Sequence, residues 1–130
     1  MQLTTDIKSV RTASAEIIKY IRKEKKAISK DTLFDIKLCV EEAIRNAVVH
    51  GNENKADLPI EISFSIKGDK IKITICDSGK GFVFGDLPDP TDGKNLYKES
   101  GRGIYIMHRL MDKLEYNEKG NCVTMEKRLI

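Results

Sequence analysis

Apolar residues recur every three or four positions in two segments of the first half of the chain, which predicts two amphipathic helices. The first helix is expected at about 9–26, and the second is expected to end near His50. Asp31 or Thr32 is a suitable N-cap for the second helix, and Gly51 is a suitable residue to end it. The positions that we expect in the core are Val10, Ala13, Ile17, Ile18 and Ile21 in the first helix and Leu33, Ile36, Val40, Ala43, Ile44 and Ala47 in the second.

The period then shortens to two, which is typical of strands with one buried face. Residues 60–67 and 70–77 alternate apolar with polar or small side chains around a Gly-Asp turn, and this pattern predicts an antiparallel hairpin. Two further strands are expected at about 113–117 and 121–129, with a Lys-Gly pair between them. The chain is therefore expected to contain two hairpins.

Between the hairpins the periodicity is lost over residues 82–100, which are rich in Asp, Pro, Gly and Asn. A loop of that length in a compact domain is usually a functional lid or disordered. A third helix is expected at about 102–112, and the apolar positions that it should bury are Ile104, Met107, Leu110 and Met111. The elements predict one domain, 1–130, of the α+β class: a two-layer sandwich with helices packed on one face of a mainly antiparallel mixed sheet.

The composition is that of an ordinary soluble domain. The 130 residues include 23 Lys and Arg against 20 Asp and Glu, interspersed along the chain, which argues against direct nucleic-acid binding. The mostly basic run 22–26 is consistent with a solvated helix end. No apolar stretch approaches the roughly 20 residues that span a membrane, and the first residues lack a signal-peptide core. We therefore expect a cytoplasmic protein without a membrane partner.

The chain contains three cysteines, Cys39, Cys76 and Cys122. Their wide spacing offers neither the CxxC pairs of a zinc site nor the density of a disulfide framework. Cys39 falls in the second predicted helix and the other two fall in predicted strands. All three are interpreted as small buried hydrophobic residues.

Glu42 and Asn46 lie four residues apart on the second predicted helix and share a face away from its apolar stripe. Cys39 and Val49 flank them there, which indicates a partly covered face. One interpretation is a solvent-exposed polar pair. The other is a phosphoryl-transfer site in which the amide oxygen binds Mg²⁺ and the carboxylate accepts a proton.

Asp77, Gly79 and Gly81 follow the second strand of the first hairpin. A carboxylate at a strand end can accept a hydrogen bond from the exocyclic amine of adenine, and the glycines leave room for a flat base. A simple turn is the alternative, because Asp-Ser-Gly is a favourable turn sequence.

Gly101, Arg102 and Gly103 precede the third predicted helix. Backbone N–H groups at a helix start suit a phosphate, and Arg102 could add a cation. A plain flexible helix entry is the alternative. The stretch follows a loop and not a strand, so it does not fit a dinucleotide fingerprint, and the chain has no P-loop.

With the three motifs in this order, the chain resembles the GHKL ATPase superfamily, whose nucleotide site is the Bergerat fold. Within it, the chain is most similar to the bacterial anti-sigma factor serine/threonine kinases. The resemblance implies that Glu42 is the catalytic base and that Asn46 binds Mg²⁺. It also assigns adenine to Asp77 with the two glycines after it, and phosphates to residues 101–103 beneath a mobile ATP lid at 82–100. Where relatives often have Gly-Thr, Gly120 is followed here by Asn121, which would contact adenine.

The resemblance also implies partners. Such kinases bind a sigma factor, use ATP to phosphorylate a serine or threonine of a STAS-domain anti-anti-sigma protein, and commonly form homodimers. An N-terminal strand, 2–5 at most, would be short. A nucleotide-gated binding module without kinase activity and the detached ATP-binding half of a histidine kinase remain alternatives.

Overall fold

Three helices form where the sequence predicts them. The structure, a computed structural model, describes residues 2–3, 8–52, 58–79 and 99–130. The helices in these ranges are α1 at Lys8–Glu24, α2 at Lys30–Asn46 and α3 at Glu99–Leu110. Because α3 begins at Glu99, three residues earlier than expected, the glycines predicted to precede it lie inside its first turns.

The N-cap of α2 is Ser29, so the prediction of Asp31 or Thr32 is wrong. Ser29 has an extended backbone, with φ −74° and ψ 154°, and its side chain accepts a hydrogen bond from Thr32 N at 3.1 Å. Asp31 and Thr32 are already helical, and there Asp31 is an acidic residue of the first turn, which the helix dipole favours.

The C-terminal end of α2 widens into a π-helical turn at Ala47–Gly51. Asn52 N closes this turn by donating to Ala47 O at 2.8 Å, a spacing of five residues instead of four. The helical stretch therefore ends at Gly51, as predicted. This turn places Gly51 and Asn52 next to Asp77 and Ser78, which follow the first hairpin.

The sheet consists of five strands in the order β1-β2-β3-β5-β4. The strands are β1 at Gln2–Leu3, β2 at Ile60–Lys67, β3 at Lys70–Cys76, β4 at Lys113–Tyr116 and β5 at Cys122–Arg128. Both predicted hairpins are present. The expected α+β sandwich is confirmed, and all four strand pairs in the described part of the chain are antiparallel, so the sheet there is not mixed.

The core lies between the helices and one face of the sheet. Apolar residues of β2, β3 and β5 alternate toward the helices, and the apolar stripes of the helices face them. The expected core positions of the helices are buried, except that Ile18 and Leu110 are only partly buried. The strand residues buried in this core are Ile60, Ile62, Ile71, Ile73, Ile75, Val123 and Met125.

The cysteines divide into a buried thiol and a disulfide. Cys39 is fully buried in α2, as predicted. Cys76 and Cys122 are partly buried and form a disulfide, so their interpretation as unpaired hydrophobic residues is wrong. The register of β3 and β5 places these two residues directly opposite each other, with Cα atoms 4.0 Å apart, and this pairing of distant strands is not visible in cysteine spacing.

Candidate nucleotide-binding site

Glu42 lies where α2 meets α3. Its side chain is 12% exposed, and Oε2 accepts a hydrogen bond from Arg45 Nη1 at 3.0 Å, which makes the two residues an ion pair. The carboxylate lies directly against the α3 backbone: a Cβ at Gly103 would overlap Oε1 and would lie 2.7 Å from Cδ. Glycine at this position is therefore what allows the carboxylate to approach the first turns of α3. The partly covered face that the sequence predicts is covered by α3.

Asn46, one turn further along α2, has a buried side-chain nitrogen that lacks a hydrogen-bond partner within the described residues. A buried polar group left unpaired typically costs about 1–3 kcal/mol, so such groups call for an explanation. The two ends of an amide are interchangeable in assignment, and the buried end could present either an oxygen or an N–H group. An amide oxygen is a suitable Mg²⁺ ligand, and an unsatisfied amide beside Glu42 fits that ion.

Asp77 follows β3 and occupies a narrow space between two glycines. Its Oδ1 accepts a hydrogen bond from Gly79 N at 2.8 Å. A Cβ at Gly51 would overlap the carboxylate, and a Cβ at Gly79 would overlap Gly51 O. The end of α2 and the turn after β3 therefore touch through backbone, with the carboxylate held beside the contact.

The surroundings of Asp77 shift two ionisable groups. Burial raises the pKa of the Asp77 carboxyl, against the smaller opposing effects of the Gly79 N–H and of Lys119. Burial, with a contribution from the charge of Asp77, raises the pKa of Tyr116 to about 12. A partly desolvated carboxylate is a strong acceptor for an N–H donor of a ligand, because little water competes for it.

Asn52 borders the candidate site and is not among the site residues predicted from the sequence. It is 1% exposed, and its Oδ1 accepts a hydrogen bond from Ser78 N at 2.7 Å. Its Nδ2 donates to Leu58 O at 3.1 Å and to Pro59 O at 3.3 Å. The residue lies at the end of the predicted second helix, where polar residues are ordinarily solvated, and only its position directly after Gly51 could have drawn attention to it.

Asn121 lies beside Asp77 on the β5 side. Its backbone O accepts from Asp77 N at 2.8 Å, and its Nδ2 donates to Asp77 O at 3.3 Å. Its Oδ1 accepts from Asn117 Nδ2 at 2.8 Å. The side chain of Asn121 therefore contacts the strand end that carries Asp77.

The remaining predicted residues divide between α3 and the part that the structure does not describe. Gly101, Arg102 and Gly103 all lie in the first turns of α3, and of these Gly103 is the one whose surroundings are described. Gly81 and most of the predicted lid, 82–100, lie outside the described residues.

The described candidate residues form two groups along α2 and its π-helical turn. Glu42 and Gly103 mark one end, and Gly51 and Asp77 mark the other. Gly51 follows Glu42 by nine positions, which corresponds to roughly 13 Å along a helix axis. Asn46 lies between them. No helix in the described part of the chain is long and apolar enough to cross a membrane.

Fold and site together define a class: a nucleotide-binding domain in which helices cover one face of an antiparallel sheet. The chain belongs to the histidine kinase-like ATPase domain family, which matches residues 3–127. ATP use is a property of this family. The prediction of a GHKL-type ATPase is thereby confirmed.

Curated relatives cover most of the chain. It is 33% identical over 142 aligned positions to the serine-protein kinase RsbW of Staphylococcus epidermidis, covering 98% of this chain and 89% of the relative. It is 32% identical to the protein of the same name from Staphylococcus aureus, with the same coverage. The anti-sigma F factor of Clostridium botulinum is 35% identical over 105 positions, which cover 75% of this chain and 72% of the relative.

Proposed function

We propose that this chain is an ATP-dependent protein-serine/threonine kinase that acts as an anti-sigma factor in a partner-switching system. Relatives named as serine-protein kinases align over nearly all of it, and an anti-sigma factor aligns over three quarters. The observation that carries the proposal is the carboxylate of Glu42, because a domain that only binds nucleotide needs no base at the phosphate end.

At the phosphate end, Glu42 would accept the proton of the attacking serine or threonine hydroxyl while the hydroxyl oxygen bonds to the γ-phosphorus of ATP. ADP leaves as the other product. Asn46 would hold Mg²⁺, whose charge offsets the negative charge of the phosphates when it is bound. Gly101, Arg102 and Gly103 would contact the phosphates from the first turns of α3.

At the other end, Asp77 would accept a hydrogen bond from the exocyclic amine of adenine. Gly79 and Gly81 would leave room for the base, and Asn121 would support it from β5. The close contact of Gly51 with the Asp77 carboxylate supports this arrangement, because glycine at position 51 leaves the space that the carboxylate occupies, and Gly79 N donates a hydrogen bond to it there.

The partners follow from the same proposal. The chain would bind a sigma factor, and its substrate would be a STAS-domain anti-anti-sigma protein. Phosphorylation would release the anti-anti-sigma protein from the kinase, and the kinase would then be free to bind the sigma factor. A homodimer, a cytoplasmic location and a single domain over 1–130 belong to this proposal as well.

The test is transfer of phosphate from Mg-ATP to a STAS-domain protein encoded with the kinase, read as phosphoserine or phosphothreonine by mass spectrometry. Glu42→Gln should abolish transfer and leave ATP affinity within about threefold, since the base makes its contribution in the transition state. ATP binding without any transfer by the unmodified protein would instead favour a nucleotide-gated binding module. Arg45→Gln is a matched control, because it removes the ion-pair partner of Glu42 and retains the base.

A further inference from the structure

We propose that Asn52 is a positioning residue that sets the preference of the site for adenine over guanine. The inference rests on the proposed ATP-binding role of Asp77 and extends it to a residue that would touch no part of the nucleotide. Asn52 is one of the two buried polar residues in the described part of the chain, the other being Ser14.

Asn52 joins the end of α2 to the residues before β2 and to the turn after β3. Its backbone closes the π-helical turn at the end of α2, its Nδ2 donates to the carbonyls that precede β2, and its Oδ1 accepts from Ser78 N after β3. Ser78 Oγ adds a bond to Pro59 O at 2.9 Å. The turn after β3 is thus fixed to the helix and to the start of β2 largely through one buried amide.

This amide controls the surroundings of Asp77 from both sides. Gly51, whose backbone lies against the Asp77 carboxylate, directly precedes Asn52. Ser78, whose N–H binds the amide, directly follows Asp77. A change at Asn52 therefore shifts the Gly51 backbone and the Asp77 carboxylate relative to each other. Burial leaves little water nearby to compensate for such a shift.

The position of the carboxylate matters because the two purines differ at the edge that it would meet. Adenine presents an exocyclic amine, a donor, where guanine presents a carbonyl oxygen, an acceptor. A fixed carboxylate accepts from the amine and repels the carbonyl. A carboxylate that is free to move away loses the first interaction and relieves the second, so the preference declines.

The experiment compares dissociation constants for ATP and GTP by isothermal titration calorimetry, with full-length protein and Mg²⁺ present. Asn52→Ala should lower the ratio of ATP to GTP affinity by about tenfold or more, since a hydrogen bond to a charged group contributes that much. Ser14→Ala is the matched control. It also removes a buried polar group, but the bonds of that group, to Arg11 O at 3.1 Å and Glu41 Oε1 at 3.0 Å, do not involve the residues around Asp77. Loss of stability alone would lower both affinities together and leave the ratio unchanged.

A second pair of variants at an exposed position keeps the inference testable if Asn52→Ala does not fold. Ser78→Pro removes the N–H that Asn52 accepts, whereas Ser78→Ala removes only the hydroxyl. The first should lower the ratio as Asn52→Ala does, and the second should retain it. In the Asp77→Asn background, Asn52→Ala should lower the ratio no further, because the two changes act on one interaction.

An ATP-to-GTP ratio that survives both Asn52→Ala and Ser78→Pro overturns the inference, and so does an unmodified protein without any preference. Failure of the proposed function gives a different result. An unmodified protein that prefers ATP and transfers no phosphate refutes the kinase, while a ratio that then depends on Asn52 still supports the positioning role.

Discussion

The substitution Gly103→Ala should displace the Glu42 side chain and slow phosphate transfer while leaving the stability of the fold nearly unchanged. The added methyl group would overlap Glu42 Oε1 and would lie 2.7 Å from Cδ and 2.8 Å from Cγ. All three atoms belong to the outer part of a flexible side chain. The Glu42 side chain can therefore rotate away, and the backbones of α2 and α3 need not move apart.

The expected effects on stability and on catalysis differ in size. Alanine is about 1 kcal/mol more favourable than glycine inside a helix, and this gain offsets the cost of moving the Glu42 side chain. The free energy of unfolding should therefore change by no more than about 1 kcal/mol. General-base catalysis contributes about 10²- to 10⁴-fold, so displacing the carboxylate should slow phosphate transfer by about 100-fold or more.

The assay combines urea unfolding with the rate of phosphate transfer at saturating ATP. Gly103→Ala is measured alone and in the Glu42→Gln background. If the methyl group acts by displacing the base, it should have little further effect once the base is gone. An equal loss of residual transfer in both backgrounds would refute the reasoning, because the glycine would then act on the phosphates directly.

Three further predictions concern charge, the disulfide and the helix cap. Asp77→Asn should weaken ATP binding yet raise the melting temperature at pH 7. Because burial raises the folded-state pKa of this carboxyl, ionisation destabilises the fold as the pH rises from the unfolded value toward the folded one, and the gain should disappear at acidic pH. Unchanged affinity for ATP would contradict the adenine role. Reduction of the Cys76–Cys122 disulfide, which joins residues 46 positions apart, should lower the free energy of unfolding by about 2–4 kcal/mol in urea, and the double serine variant should not respond to reductant. Ser29→Ala should cost about 1 kcal/mol in the same assay, whereas a prediction of Thr32 as the cap would place that loss at Thr32→Ala.

Much of the fold is predictable from local pattern. The apolar repeats of α1 and α2 and the alternation around the first hairpin define elements whose buried faces the structure confirms. The N-cap of α2 was harder to predict, because Ser29, Asp31 and Thr32 are all suitable cap residues. Only the backbone conformation identifies Ser29 as the cap. The pairing of β3 with β5 is non-local, which is why the disulfide between their facing cysteines could not be predicted from spacing.

The positions of the candidate site residues could be predicted from the sequence, but their contacts could not. Helical phase places Glu42 and Asn46 on one face, and the sequence order brings Asp77 to a strand end. The closure of that face by Gly103 and the burial of Asn52 depend on how α3 and the turn after β3 pack, and no local pattern encodes either. The roles assigned to the candidate site residues, including Arg102 and Gly81, remain predictions from the motifs.

Several features that oppose stability belong to α2 or lie against α2 and its π-helical turn, and this distribution is an argument for a binding site there. A glycine inside α3 at Gly103 is less stable than alanine by about 0.5–1 kcal/mol. The buried nitrogen of Asn46 lacks a partner within the described residues, and Asp77 is a carboxylate that burial disfavours in its charged form. A position that only completed the core would carry neither an unpaired amide nor a buried carboxylate, since an aliphatic residue would be more stable there. Features that oppose stability and lie along one helix are expected where a ligand supplies the missing interactions.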